Sequence, residues 1–382
     1  MVKAAGEIQP FRLDVPAAEI DDLRHRLRRT RWPEPATVDD WSQGVPLEVL
    51  RELCAYWADG YDWPARQARI NAIPQYRATV DGLGIHFLHA RSPHADALPL
   101  VLTHGWPGSV VEFLDVIGPL TDPTAHGGDA ADAFHVVCPS LPGYGWSDKP
   151  VGPGWGLERI ARAWAALMAG LGYSRYGAQG GDWGSGVTTF LGSIDPEHLA
   201  GIHLNMVSVG APRDHTGPWD DTEQAALDAL DYYQREDSGY SKQQSTRPQT
   251  LGYGLVDSPA GLCGWILEKF WSWSDTDGDP VGALGADRIL DDVMHYWLPA
   301  TGASSARLYW ESFGGRNRPV VEIPSGASIF PREIFRPPRQ WAESRFTDLR
   351  YWGTPPRGGH FAAFEQPALF VDEVRAFFRL VR

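Results

Sequence analysis

Gln179-Gly180-Gly181-Asp182-Trp183-Gly184-Ser185 has the small-x-nucleophile-x-small layout of a sharp strand-to-helix turn. Such a turn lifts one side chain above a sheet, and its glycines let the backbones pass without clash. Here the raised position holds a carboxylate rather than a serine. The apolar stretch Tyr176 to Gln179 before it reads as a strand and the residues after it as a helix. That is the context this elbow needs. A structural reading also exists, in which Asp182 is a helix N-cap following a glycine turn. Gly127-Gly128-Asp129 makes a useful contrast, because it precedes a strand, lacks the Trp-Gly that follows Asp182, and reads as a surface loop.

Working outward, short apolar strands at Leu98 to Thr103, Ala133 to Cys138, Tyr176 to Gln179 and Gly201 to Met206 alternate with helical stretches. That alternation predicts a mostly parallel sheet with helices on both faces. A hairpin precedes it, with Ala78-Thr79-Val80 and Ile85-His86-Phe87-Leu88 flanking the turn Asp81-Gly82-Leu83-Gly84. Residues 1–75 read as helical and strand-poor, with Ile20, Leu23 and Leu27 and then Leu50, Leu53 and Trp57 at helical spacing. After Ala211 the strands stop and an aromatic-rich helical region follows. Strands resume at Pro319 to Ile323 and Leu349 to Trp352, and a helix from Pro367 to Leu380 closes the chain. The expected domains are an N-terminal strap (1–75), a first core part (76–211), a helical cap (212–314) and a second core part (315–382). The expected fold is α/β, an eight-stranded, mostly parallel sheet of the α/β-hydrolase type.

Composition narrows the class. A formal net charge of −14 argues against nucleic-acid or anionic-membrane partners. The first fifteen residues hold no apolar run long enough for a signal peptide, and no later stretch reaches the roughly 18 apolar residues of a membrane span. Cys54, Cys138 and Cys263 are scattered, without metal-like spacing or a disulfide framework. A soluble, cytoplasmic protein is expected.

A carboxylate nucleophile attacks carbon and forms an alkyl ester on the enzyme. It suits strained or leaving-group-bearing carbons, as in epoxides and alkyl halides, and not peptides or ordinary esters. Two further motifs fit an elbow of this kind. His104-Gly105-Trp106-Pro107-Gly108 directly follows a strand, where such enzymes supply one oxyanion-hole amide; the other is the amide after the nucleophile. The backbone donors would be those of Trp106 and Trp183, while His104 itself reads as structural. Gly358-Gly359-His360-Phe361 lies between the last strand and the last helix, where a general base must sit. The acid that orients it should follow the strand at 319–323. Glu322, Glu333, Glu343 and Asp348 are the candidates, and Glu333 in Phe330-Pro331-Arg332-Glu333 is the best placed.

On these motifs the chain resembles the microsomal-type branch of the α/β-hydrolase epoxide hydrolases. Trp41-Ser42-Gln43-Gly44-Val45 and Asp62-Trp63 resemble the strap, and Leu141-Pro142-Gly143-Tyr144-Gly145-Trp146-Ser147 the loop after the next strand. Gly181-Asp182-Trp183-Gly184 and Gly358-Gly359-His360-Phe361-Ala362-Ala363-Phe364-Glu365 match the elbow and the histidine loop. The resemblance implies a glutamate or aspartate acid at the position of Glu333. It also implies two cap tyrosines on the epoxide oxygen, Tyr240 in Ser238-Gly239-Tyr240 and Tyr309 in Arg307-Leu308-Tyr309. The membrane anchor usual in that branch is not seen in the sequence. The implied partner is a small-molecule epoxide, with no metal or organic cofactor, no nucleic acid and no membrane, and with a homodimer left open.

Other readings have distinct signatures. A haloalkane dehalogenase would share Asp182, His360 and Trp183 but needs halide-binding N–H donors instead of paired phenols. A serine hydrolase lacks a serine in an elbow context, since Ser185 is off-centre. A non-catalytic binder on this fold would lack a triad member. Asp275-Thr276-Asp277-Gly278-Asp279 faintly resembles a calcium loop but has no distal glutamate. Trp265, Trp271, Trp273, Trp297 and Trp310 fall in or near the cap, either as its own core or as walls for a bulky aromatic epoxide. A detoxifying and a biosynthetic role are equally open.

Overall fold

The structure, a computed structural model, describes residues 5–313 and 319–382. One nine-stranded sheet runs through it: β1 (Ile8–Phe11), β2 (Gln75–Val80), β3 (Leu83–Ala90), β4 (Leu98–Thr103), β5 (Phe134–Pro139), β6 (Tyr176–Gly180), β7 (Leu199–Leu204), β8 (Ser325–Ser328) and β9 (Leu349–Gly353). The spatial order is β1-β2-β3-β5-β4-β6-β7-β8-β9. The first three pairings are antiparallel and all later ones parallel. This is the α/β-hydrolase fold.

Two details depart from expectation. The sheet has nine strands, not eight, because Ile8–Phe11 pairs along β2 at the edge. Pro10 hid it, since a proline demotes a strand reading, yet an edge strand tolerates the missing donor. The strand expected at Pro319 to Ile323 is displaced to Ser325–Ser328, and Val321 makes only an isolated bridge to Phe346. Ser325-Gly326-Ala327-Ser328 carries no bulky signal because Phe377 lies directly over Gly326, where a Cβ would collide with its ring. The expected boundary between cap and second core part, at 314/315, lies outside the described residues.

The sheet is flanked by α4 (Leu114–Thr121), α5 (Leu157–Gly170), α6 (Asp182–Ile194), the short α14 (Arg339–Glu343) and α15 (Ala362–Glu365), and α16 (Pro367–Phe378). The apolar face of α5 shows the period that buries Ile160, Trp164, Leu167 and Met168. Before the sheet proper come α1 (Ala17–Arg28), α2 (Leu47–Asp59) and α3 (Trp63–Ile70). Between β7 and β8 lie α7 (Asp221–Tyr232), α8 (Gly239–Thr246), α9 (Pro248–Asp257), α10 (Pro259–Trp273), α11 (Pro280–Leu284), α12 (Ala286–Trp297) and α13 (Gly302–Ser312).

The N-terminal helices and the cap helices are bolted together. Arg66 on α3 chelates the buried Asp291 of α12, which also accepts the Tyr61 hydroxyl at 2.8 Å. Tyr56 donates to Asp287 at 2.7 Å, and Trp41 stacks on Trp271 with centroids 5.0 Å apart.

Candidate active site

The parallel register brings the carboxyl ends of β4 and β6 side by side, with Thr103 opposite Gly180. The loop after β4 and the elbow after β6 are therefore neighbours, at the sheet edge where α/β folds place ligands. Asp182 opens α6 in the left-handed region at φ 48°. A non-glycine residue there is strained by about 1–3 kcal/mol and persists only when its surroundings enforce it. Gly184 packs so closely on the Thr103 carbonyl that a Cβ would collide with it, and a Cβ at Gly105 would strike the Asp182 carboxylate. Elbow and loop thus interlock through two missing side chains.

The geometry around the carboxylate is tight. Trp106 N–H donates to Asp182 Oδ1 at 2.8 Å, and Asp182 Oδ2 lies 3.4 Å from His360 Nε2. His360 Nδ1 is 2.7 Å from Glu333 Oε1. The imidazole is held further by its backbone, which donates to the Trp273 carbonyl at 2.9 Å, and by the Trp273 ring at 4.9 Å. Glu333 is fully buried and is itself positioned by the Ile334 N–H. Burial alone would drive His360 toward neutrality, but the carboxylates of Glu333 and Asp182 outweigh it and hold its pKa well above the ordinary histidine range. Both carboxylates thus favour the protonated imidazole in the free enzyme.

Above the carboxylate the cap lowers two phenols. Tyr240 on α8 and Tyr309 on α13 are both buried, with rings 5.7 Å apart. Trp106 organises them, stacking on Tyr240 at 4.9 Å and meeting Tyr309 edge-on at 5.8 Å. Trp183 packs edge-on against Tyr309 at 4.7 Å. Burial, with the negative charge of Asp182 adding to it, raises both phenols well above their usual value and keeps them protonated. The five residues singled out from sequence, Asp182, His360, Glu333, Tyr240 and Tyr309, thus converge, together with the amide of Trp106. The amide of Trp183 belongs to the first turn of α6, whose N–H groups have no intrahelical partner.

The cap also grips the loop that supplies the Trp106 amide. Ser109 Oγ donates to the buried Asp292 of α12 at 2.6 Å, and the Tyr296 hydroxyl donates to the Gly108 carbonyl at 2.7 Å. His104 is structural: Leu141 N–H donates to its Nε2, Nδ1 lies 2.9 Å from the Gly105 carbonyl, and burial lowers its pKa to about 4.

Several residues of the site escaped sequence reasoning. A π-helical turn, Tyr233–Asp237, carries Tyr233, whose hydroxyl lies 3.0 Å from that of Tyr240. Asp237 from the same turn accepts from Trp273 Nε1 at 2.5 Å and pairs with the buried Lys269, whose ammonium sits 4.4 Å over the Tyr240 ring. The charged pair Glu268-Lys269 within the largely apolar α10 was the available signal; nothing local marks the π-turn. Of the five cap tryptophans, Trp273 faces this site, Trp265 donates to Gln244 of α8 within the cap, Trp271 stacks on Trp41 of the N-terminal segment, Trp297 packs under Arg26 of α1, and Trp310 is exposed. Asp275 accepts the Gly358 N–H and so anchors the histidine loop. Among the described residues no cluster of histidine, cysteine or acidic side chains is arranged to hold a metal ion.

The N-terminal segment matches the family described as "Epoxide hydrolase N terminus" over residues 8–113, and residues 99–249 match "alpha/beta hydrolase fold". Epoxide hydrolase 1 of Oryctolagus cuniculus is 33% identical over 98% of this chain and 89% of its own length. A Stigmatella aurantiaca protein provisionally named an epoxide hydrolase is 56% identical, covering 98% of this chain and 86% of its own. The chain belongs to the epoxide hydrolases. The Aspergillus niger epoxide hydrolase structure superposes with a TM-score of 0.89 at 31% identity, over 99% of this chain and 98% of that one. The microsomal qualifier expected from sequence is corrected. Among the described residues no helix is long and apolar enough to cross a membrane, so the membrane-anchored type finds no support and the assignment stands at the family and its N-terminal domain.

Proposed function

We propose that this epoxide hydrolase opens its substrate through a covalent ester on Asp182. Oδ2 attacks a ring carbon, the carbon–oxygen bond of the ring breaks, and the electron pair moves to the oxygen. Tyr240 and Tyr309 hydrogen-bond that oxygen and one of them protonates it; the phenolate left behind recovers the proton that His360 gives up once Asp182 has become a neutral ester. His360, oriented by Glu333, then takes a proton from water, and the resulting hydroxide attacks the ester carbonyl. The amides of Trp106 and Trp183 hold the oxyanion, each contributing about 3–4 kcal/mol in comparable sites. The tetrahedral intermediate collapses with breakage of the ester carbon–oxygen bond, and the leaving alkoxide takes the proton back from His360 and departs as the vicinal diol. The carboxyl of residue 182 passes its own proton to His360, restoring the Asp182 carboxylate beside a protonated imidazole.

The observation that carries the proposal is the placement of His360 between two carboxylates, Nε2 3.4 Å from Asp182 and Nδ1 2.7 Å from Glu333. Alkylation converts Asp182 into a neutral ester and removes one of the two charges that keep His360 protonated. The imidazole then loses its proton more readily, so the base appears only after the ester it must hydrolyse has formed. The same loss of charge makes both phenols better acids as the alkoxide develops. One event, neutralisation of residue 182, readies both proton-transfer groups.

The substrate is a small-molecule epoxide, and the three buried free cysteines fit a reducing, cytoplasmic setting. The chain organisation proposed from sequence, a strap, a core in two parts and an inserted cap, gives each group its carrier: the core brings the nucleophile, base and acid, the cap the phenols. A single turnover in ¹⁸O-water tests the chemistry. The first diol should carry unlabelled oxygen from Asp182 and the label should enter that carboxylate; label in the first diol would establish direct attack by water.

A further inference from the structure

Behind the nucleophile the fold leaves a cavity of about 20 Å³, lined among others by Gly105, Gly108, Glu112, Asp182, Asn205 and His360. A water site needs roughly 10–15 Å³ by the same measure, so the cavity takes one water and excludes an epoxide. It lies on the side of Asp182 and His360 away from the phenols, as judged from its lining, which includes neither tyrosine. Four titratable side chains border it: Asp182 and His360, already given roles, His104, which is structural, and Glu112, which has no part in the scheme above.

Glu112 stands in the short turn Val110–Phe113 that follows the Trp106 loop. Its carboxyl folds back over that loop into space left by a glycine, since a Cβ at Gly108 would collide with Glu112 Oε1. The residue keeps some accessible surface although protein surrounds it, as expected for a carboxyl facing an internal cavity. Burial, with the charge of Asp292 adding to it, pushes its pKa well above the carboxylate range. A neutral carboxyl presents one donor and one acceptor, which is what an oriented water requires when His360 takes one of its protons.

We propose that Glu112 holds the hydrolytic water in this cavity, on the far side from His360, and so aims it at the ester carbonyl of residue 182. The inference rests on the covalent-ester reading and concerns its second half only. Glu112 has no contact with the epoxide, so ring opening does not depend on it. Loss of the carboxyl leaves the water free to sit off the line of attack, and a misplacement of about 1 Å is enough to slow a reaction some 10²-fold.

The test compares wild type, Glu112→Leu and Glu112→Gln in single turnovers with a styrene oxide, following ester formation and decay by rapid quench and intact mass. Formation should change by less than about twofold, whereas decay should slow roughly 10²-fold in the leucine variant and less in glutamine, which keeps a carbonyl acceptor. At steady state kcat and KM should fall together, leaving kcat/KM nearly constant, because only the step after ring opening is impaired. A merely structural role would slow both steps or raise KM. Wild-type decay in folded Glu112→Leu, or equal slowing of both steps, overturns the proposal. Should the leucine variant not fold, wild-type decay together with an unchanged KM in Glu112→Gln and Glu112→Ala overturns it as well. Absence of any ester in the wild type would instead overturn the covalent reading, so the two failures are distinct.

Discussion

Replacing Tyr309 by phenylalanine isolates the part played by one hydroxyl. The ring contacts with Trp183 and Trp106, at 4.7 and 5.8 Å, survive the change. The aromatic packing that seats α13 over the nucleophile is therefore kept, and the loss in stability should stay near 1 kcal/mol, the usual scale of one buried hydrogen bond. The alkoxide, by contrast, loses one of its two donors. A preorganised donor in a water-excluded site is worth about 2.7–4 kcal/mol, which predicts ring opening about 10²–10³-fold slower. The ester should still decay at the wild-type rate, because His360, Glu333 and the amide of Trp106 are untouched. Stopped-flow quenching of tryptophan fluorescence, with enzyme in excess, separates the two steps because Trp183 adjoins the alkylated carboxylate. The reasoning also orders the substrates: an epoxide whose alkoxide is better stabilised, such as a nitrostyrene oxide, should suffer less than an aliphatic one. A folded Tyr309→Phe that opens the ring with a loss below about threefold, under ~0.7 kcal/mol, refutes the role given to this phenol.

His360→Gln should accumulate the ester, seen as a mass increase equal to the epoxide, with hydrolysis reduced about 10²–10⁴-fold; rapid turnover without accumulation would contradict it. Ester hydrolysis should rise as pH climbs through the pKa of His360 in the ester and level off above it, since only the neutral imidazole accepts a proton; Glu333→Gln removes a charge that raises that pKa and should move the inflection to lower pH. The folding stability tied to His360 has the opposite sense: its raised folded pKa makes the contribution complete below about 6.5 and lost as pH rises through the folded value, which urea midpoints across pH should record. Arg66→Ala should destabilise the protein by about 3 kcal/mol in urea unfolding, because it strips the buried Asp291 of its principal partner; a change under about 1 kcal/mol would show the pair to be incidental.

The core of this fold was legible because its strands are buried on both faces. Leu98–Thr103, for example, reads as an apolar run with the same limits in sequence and structure. Ser325–Ser328 was not, because its small residues answer to Phe377, more than fifty positions away. Asp182 and His360 could be found from local glycines, since close backbone approach leaves a mark in the neighbouring residues. Glu333 was found only by its order in the chain and by resemblance, as any buried carboxylate in a loop looks alike until its partner is placed. Tyr233, Asp237 and Lys269 join the site through a π-turn and a helix whose relation exists only in three dimensions.

The bolts between the N-terminal helices and α12 give an apparently idle leader a decisive office. Helices α1 to α3 bring no reacting group, yet α12, which they fasten, in turn grips the loop that presents the Trp106 amide. Trimming this protein to a minimal catalytic core would unmoor the parts that aim its acids, and a smaller biocatalyst is better sought by shortening surface loops elsewhere.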